Sequence, residues 1–95
     1  MHSTEKRPLI VIVDDEENLL AALSERISNL YEVKTFLSPQ EFLDWLGGPD
    51  KPTPDLLISD LKMPGMSGLD MIETAKHEGQ AFPSIVLSRF IDKEA

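Results

Sequence analysis

The sequence contains no cysteine, few basic side chains and no long hydrophobic run. Without cysteine it can form neither disulfides nor thiolate metal sites, and it has no cysteine nucleophile. Its longest strongly apolar run, Leu9 to Val13, is too short for a membrane span or a signal-peptide core. With 9 basic and 17 acidic side chains, the net charge is −8, which disfavours nucleic acid and anionic membranes as partners and favours a cation. We therefore expect a cytoplasmic protein that binds neither nucleic acid nor membrane.

The composition indicates one small globular domain. Of the 95 residues, 41% are hydrophobic and 27% are charged, close to the average for soluble proteins. This length leaves room for a single hydrophobic core. Residues 1–8 are mostly polar and end in a proline, so we expect a flexible N-terminal lead-in followed by one domain over residues 9–95.

Short apolar runs alternate along the chain with segments of helical periodicity. The alternation predicts an α/β fold with a parallel sheet and right-handed crossovers. In the second strand polar and apolar side chains alternate, which suits the edge of a sheet. Ser38 and Ser67 are the expected N-caps of the second and third helices. The predicted strands are 9–13, 31–36, 55–60 and 83–88, and the predicted helices are 18–30, 39–46 and 68–78.

Polar side chains stand at the carboxyl ends of three predicted strands: Asp14 with Asp15, then Asp60, then Ser88. Ligands of open parallel sheets bind outside these ends. Carboxylates about 4 Å apart repel by roughly 4 kcal/mol at an effective dielectric constant near 20, so such a cluster holds a proton or recruits a cation. An all-oxygen donor set favours Mg²⁺. Alternatively, residues Asp14 to Glu17 only form an acidic first helical turn, which leaves Asp60 unexplained.

Beside a divalent ion, a carboxylate can act as a nucleophile toward phosphorus, and Asp60 is the natural candidate. Three segments resemble the response-regulator receiver family: Val13 to Glu16 (VDDE), Asp60 to Gly68 (DLKMPGMSG) and Val86 to Ser88 (VLS). The resemblance runs from Leu9 to the end of the chain. It implies a flavodoxin-like parallel sheet of order 2-1-3-4-5 with flanking helices. It also implies Mg²⁺-dependent transfer of a phosphoryl group to Asp60 from a sensor histidine kinase or phosphotransfer protein.

The resemblance assigns a role to each matching residue. Asp15, Asp60 and the backbone carbonyl of Lys62 would ligate Mg²⁺ directly, and Asp14 would act through a coordinated water. Ser88 would donate a hydrogen bond to the phosphoryl group; without the family, its alternative role is to satisfy local backbone at a strand end. Such a module is a phospho-acceptor rather than an enzyme, with at most weak self-catalysed phosphorylation and dephosphorylation.

Two features depart from the family pattern. The family's phosphoryl-binding lysine follows a fifth strand, whereas this sequence ends at Ala95, before the fourth helix, fifth strand and fifth helix. We therefore expect a C-terminally truncated receiver of four strands and three helices, which self-associates through its exposed fourth strand. The second departure is Arg89, where the family usually has a small residue; Arg89 and Lys62 are candidates to modulate the site by shielding it or by contacting the phosphoryl group.

Two other functions compete with this interpretation. A haloacid-dehalogenase-like phosphatase also uses a strand-end aspartate, but it requires a second aspartate two residues later, where this chain has Lys62. The other alternative is a non-phosphorylated interaction or dimerisation fragment of a receiver, because a pocket without the family's lysine could be inert.

Overall fold

The computed structural model describes residues 7–50 and 52–88. Strands and helices alternate strictly along this part of the chain, as the sequence predicts. None of its helices is both long enough and apolar enough to cross a membrane. The elements are β1 (Leu9–Val13), α1 (Glu17–Ile27), β2 (Glu32–Phe36), α2 (Pro39–Leu46), β3 (Leu56–Asp60), α3 (Gly68–His77) and β4 (Ser84–Leu87).

The four strands form one parallel sheet in the order β2-β1-β3-β4. The order agrees with the predicted flavodoxin-like arrangement, and the half-polar strand β2 lies at an edge. The register pairs Val13 with Ser59, and Asp60 with Leu87. The carboxyl ends of β1, β3 and β4 therefore meet at one edge of the sheet.

The central strand β1 is buried along its whole length, because helices cover both faces of the sheet beside it. One face packs against α2 and α3, where Val11 and Val13 join Phe42 and Met71. The other face packs against α1 through a smaller cluster of Ile10, Ile12 and Leu20. The continuous apolar run of β1 is thus the signature of a strand covered on both sides.

Both predicted N-caps are present. The hydroxyl oxygen of Ser38 accepts a hydrogen bond from the Glu41 amide at 3.2 Å, and that of Ser67 accepts one from the Asp70 amide at 3.1 Å. These bonds satisfy amide groups that have no partner within the first helical turn.

The predicted end of α1 is wrong by three residues, since the helix ends at Ile27 and not at Leu30. The amides of Leu30 and Tyr31 both donate to the carbonyl of Ile27, and this turn ends the helix. Leu30 continues the apolar spacing by coincidence and is 68% exposed. Arg7 donates to the carbonyls of Ser28 and Asn29 at 2.9 and 3.1 Å. The carbonyl of Pro8 accepts from the Glu32 amide at 2.9 Å, and residues 1–6 of the predicted lead-in lie outside the described residues.

Helix α1 covers β1 and β2, but no helix of the described residues covers β4 on the same face. Ile85 and Leu87 point to this face, because the register places Ile85 beside Ile58 of the α1 cluster. Their exposed fractions are 46% and 42%. The predicted exposure of the fourth strand is therefore observed for these two side chains, whereas Val86, on the opposite face, is half-buried.

Candidate metal and acceptor site

Three carboxylates converge at the carboxyl edge of the sheet. Oxygen atoms of Asp14, Asp15 and Asp60 all lie within 4.8 Å of one another. Asp14 and Asp60 are buried, with exposed fractions of 4% and 7%, whereas Asp15 is exposed. The convergence predicted from the strand ends is thus present in the structure.

Local backbone geometry explains how β1 presents its two acids. The Asp14 amide donates to the carbonyl of Phe36 at 3.1 Å, which extends the pairing of β1 and β2 by one residue. The Asp14 carboxylate then accepts a hydrogen bond from the Glu16 amide at 2.9 Å. This aspartate turn redirects the chain into α1, so Asp14 stays at the strand end while Asp15 lies at the surface.

The three carboxylates of this cluster repel one another. Two carboxylates at such separations repel by roughly 3 to 4 kcal/mol at an effective dielectric constant of about 20, less where solvent screens Asp15. The N-terminus of a helix stabilises a nearby carboxylate by only about 0.3–1 kcal/mol. An acidic first turn of α1 therefore accounts for neither the magnitude of the repulsion nor the presence of Asp60 from another strand.

The donor set fits Mg²⁺. Ligands in an octahedral shell at about 2.1 Å lie about 3 Å apart when adjacent and about 4 Å apart when opposite. Oxygen atoms within 4.8 Å of one another can supply two direct ligands, with the third carboxylate acting through a water. Among residues 7–50 and 52–88 this is the one group of three or more acidic, histidine or cysteine side chains close enough to share a metal ion.

The loop after Asp60 is closed by a main-chain hydrogen bond. The Gly68 amide donates to the carbonyl of Leu61 at 2.9 Å. Within the loop Gly65 has φ of 89°, a conformation that side-chain-bearing residues rarely adopt. Lys62 lies in this loop, two residues after Asp60, and is exposed; the metal-binding role of its carbonyl stays a prediction.

Ser88 lies at the same edge of the sheet as the acids. It directly follows β4 and is exposed, and its neighbour Leu87 is the register partner of Asp60. The Leu87 carbonyl also accepts a hydrogen bond from the Leu61 amide at 2.9 Å. The predicted role of Ser88 as the switch hydroxyl is compatible with this position. Arg89 lies outside the described residues, so its modulating role stays a prediction.

Sequence reasoning missed two residues that hold the main chain of Asp60. Ser59 is fully buried, and its hydroxyl donates to the Asp60 carbonyl at 2.8 Å. Gly68, the first residue of α3, packs directly against that carbonyl. A polar residue on the inward face of an otherwise apolar strand was the available signal for Ser59. The close approach of Gly68 has no counterpart in local sequence.

Comparison with known proteins identifies the family. The family model of the response regulator receiver domain matches residues 10–95. The DNA-binding transcriptional regulator NtrC of Klebsiella pneumoniae is 33% identical over 91 residues, which are 95% of this chain and 19% of NtrC. The response regulator protein TmoT of Ectopseudomonas mendocina is 35% identical over 88 residues, which are 92% of this chain and 39% of TmoT. The chain therefore spans about a fifth of the length of NtrC.

The fold leads to the same family. The crystal structure of a response regulator receiver protein from Pseudomonas putida has a TM-score of 0.80 to this chain and is 30% identical to it. The match covers 96% of this chain and 75% of that protein. The converging aspartates lie within the matched residues 10–95. On sequence and on structure alike, the chain belongs to the response regulator receiver domain family.

Proposed function

We propose that this chain is a phospho-accepting signalling module of a two-component system, which receives a phosphoryl group on Asp60 from a sensor histidine kinase or phosphotransfer protein. The observation that carries the proposal is the convergence of the Asp14, Asp15 and Asp60 carboxylates within 4.8 Å. Asp60 is the acceptor because it ends the inner strand β3 and lies between the acids of β1 and the end of β4.

The transfer exchanges one bond to phosphorus for another. A carboxylate oxygen of Asp60 bonds to the phosphorus of a phosphohistidine, and the phosphorus–nitrogen bond breaks with its electron pair passing to the imidazole. Bound by Asp15, Asp60 and the Lys62 carbonyl, with Asp14 acting through a water, Mg²⁺ would offset negative charge on the phosphoryl oxygens. Water later hydrolyses the acyl phosphate to the Asp60 carboxylate and inorganic phosphate.

Three further groups are candidates to act on the transferred phosphoryl in this proposal. Ser88 would donate a hydrogen bond to one of its oxygens, and Lys62 and Arg89 would modulate the site by contacting the phosphoryl group or by shielding it. A charge-assisted hydrogen bond of this kind contributes roughly 1.5–3 kcal/mol. The stability of the phosphorylated state therefore depends on how many of these groups reach the phosphoryl oxygens.

Intact mass spectrometry after incubation with acetyl phosphate and Mg²⁺ tests the assignment. We expect the parent chain to gain the mass of one phosphoryl group and the Asp60→Asn variant to gain none. Asp44→Asn is the matched control, because Asp44 is an exposed aspartate of α2 that accepts a hydrogen bond from Gln40. A mass gain that persists in Asp60→Asn would contradict the assignment.

A second candidate function is a receiver that acts by interaction without phosphorylation. The observation that favours it is the pair of exposed apolar side chains on β4, Ile85 and Leu87, through which we propose that two copies associate. The mass experiment separates the two functions. A parent chain that binds Mg²⁺ but gains no phosphoryl group would support the interaction module. Turnover of a phosphate ester would instead indicate the dehalogenase-like phosphatase.

A further inference from the structure

We propose that Ser59 is a positioning residue for the acceptor, whose hydroxyl holds the Asp60 peptide in the orientation that places the Asp60 carboxylate beside Asp14 and Asp15. The inference rests on the proposed function of Asp60. It concerns the neighbour of the acceptor on the buried side of the strand, a residue that touches neither the metal nor the phosphoryl group.

The burial of Ser59 is the first observation. Its exposed fraction is 0%, and it lies on the same face of β3 as Leu57, which belongs to the apolar cluster beneath α2 and α3. A hydroxyl in such surroundings is costly unless it is hydrogen-bonded. The hydroxyl meets this requirement at 2.8 Å from the Asp60 carbonyl, so the strand directs its buried polar group to the acceptor's own main chain.

The approach of α3 is the second observation. A Cβ atom on Gly68 would overlap the Asp60 carbonyl oxygen and would lie 2.7 Å from the Ser59 hydroxyl oxygen. Helix α3 therefore begins directly on top of the Ser59–Asp60 hydrogen bond. Only a residue without a side chain allows this packing, so the bond is enclosed by the strand on one side and by the helix on the other.

Two further hydrogen bonds hold the peptides on either side of Leu61. The Leu61 amide donates to Leu87 and the Leu61 carbonyl accepts from Gly68, both at 2.9 Å. Together with the Ser59 bond, they fix both peptides that follow the Cα atom of Asp60. Because the backbone dihedral angles set the direction of the Cα–Cβ bond and limit the allowed rotamers, these bonds also restrict where the acceptor carboxylate can point.

Removal of the Ser59 hydroxyl should therefore affect the chemistry more than the fold. Alanine at this position retains the Cβ atom and leaves β3 paired with both neighbours, but the Asp60 carbonyl loses a hydrogen-bond donor. Misplacement of a reacting group by about 1 Å can slow a reaction about a hundredfold, and for a partial loss of orientation we expect about a tenfold slower phosphorylation of Ser59→Ala.

The experiment compares Ser59→Ala with Ser84→Ala and with the parent chain. Ser84, the first residue of the neighbouring strand β4, is a matched control. Its hydroxyl also donates to a nearby backbone carbonyl, that of Phe82, at 3.2 Å. The first measurement is the phosphorylation rate at saturating acetyl phosphate and Mg²⁺. The second is the carbonyl ¹³C chemical shift of Asp60 in the metal-free protein, which reports the hydrogen bond directly.

We expect Ser59→Ala to slow phosphorylation and to move the Asp60 carbonyl resonance, while Ser84→Ala changes neither. Ser59→Thr, which restores a hydroxyl, should recover both. An unchanged rate or resonance in Ser59→Ala would overturn the inference, as would a folded Ser59→Thr that stays slow. If Ser59→Thr does not fold, the comparison of the two alanine variants decides. A parent chain that is not phosphorylated at all contradicts the proposed function instead, and the metal-free resonance then decides whether Ser59 orients Asp60.

Discussion

The charge of Asp15 is screened by solvent more than the charges of the other two acids of the cluster, although oxygen atoms of all three lie within 4.8 Å. Asp14 and Asp60 are buried, so their mutual repulsion is weakly screened, whereas Asp15 is exposed. A cation that binds all three relieves the repulsion only in the folded state. Metal binding should therefore stabilise the fold, by RT ln(1 + [Mg²⁺]/Kd).

We predict that millimolar Mg²⁺ raises the melting temperature of the parent chain and that Asp15→Ala abolishes most of this increase. Without metal, the same substitution should leave stability unchanged or slightly raise it, because one of the repelling charges is gone. Thermal denaturation with and without Mg²⁺ measures both effects. Asp70→Ala is the control for loss of an exposed aspartate. A parent chain whose melting temperature ignores Mg²⁺ would rule out the metal site.

The N-caps of helices α2 and α3 differ in how closely they are linked to the acidic site. Ser67 and Ser38 make equivalent hydrogen bonds at the starts of α3 and α2. Ser67 belongs to the loop that follows Asp60, and the next residue, Gly68, closes that loop through its bond to Leu61. Ser38 lines a cavity beside Pro64 to Met66 of the same loop. Fraying of α3 should therefore loosen the Gly68 bond directly, whereas fraying of α2 should leave that bond in place.

We predict that Ser67→Ala and Ser38→Ala each lower the free energy of unfolding by about 1 kcal/mol, the usual cost of removing an N-cap. Urea denaturation measures this loss. Hydrogen exchange distinguishes the two variants, because the Gly68 amide should exchange faster in Ser67→Ala alone. Equal exchange of that amide in both variants would show that the cap of α3 does not hold the loop.

The elements were largely predictable from sequence, for physical reasons that also explain the exceptions. Strand ends in a parallel sheet lie at one edge, so element order places Asp14, Asp15 and Asp60 on that edge. Their meeting also requires β1 beside β3, which the resemblance to the receiver family implied. The end of α1 was mispredicted because Leu30 continues the apolar spacing past a turn that only hydrogen bonding reveals. The contact of Gly68 with Ser59 depends on how closely a helix approaches a strand, which no local pattern encodes.

At the scale of the whole molecule, the sheet is covered unevenly. Helices cover both faces beside β1, but Ile85 and Leu87 of β4 remain nearly half exposed at the edge of the described sheet. Burial of such a side chain contributes roughly 1.5–3 kcal/mol at most. Two copies that joined their β4 edges about a twofold axis would bring four of these side chains together and pair the backbone groups along those edges.

We predict that the 95-residue chain self-associates at micromolar concentration through β4, and that added salt strengthens the association. Each copy carries a net charge of −8, so the copies repel at low ionic strength. Light scattering across a salt series measures the effect. Ile85→Lys should weaken association, while Leu30→Lys, at an exposed leucine beyond α1, should not. A monomer at every salt concentration would exclude this contact.

Because β1 is buried along its whole length, the backbone at its end becomes ordered during folding, before any ion binds. Asp14 continues this strand through its bond to Phe36 and accepts a hydrogen bond from the Glu16 amide, so its backbone is immobilised together with the core. The conformational entropy of ordering it, about 1–2 kcal/mol per residue, belongs to folding and not to ion binding. The site is therefore preorganised at Asp14: an arriving cation meets this carboxylate on a backbone that is already ordered, and that order is lost only when the central part of the sheet, among the last parts of such a domain to open, unfolds.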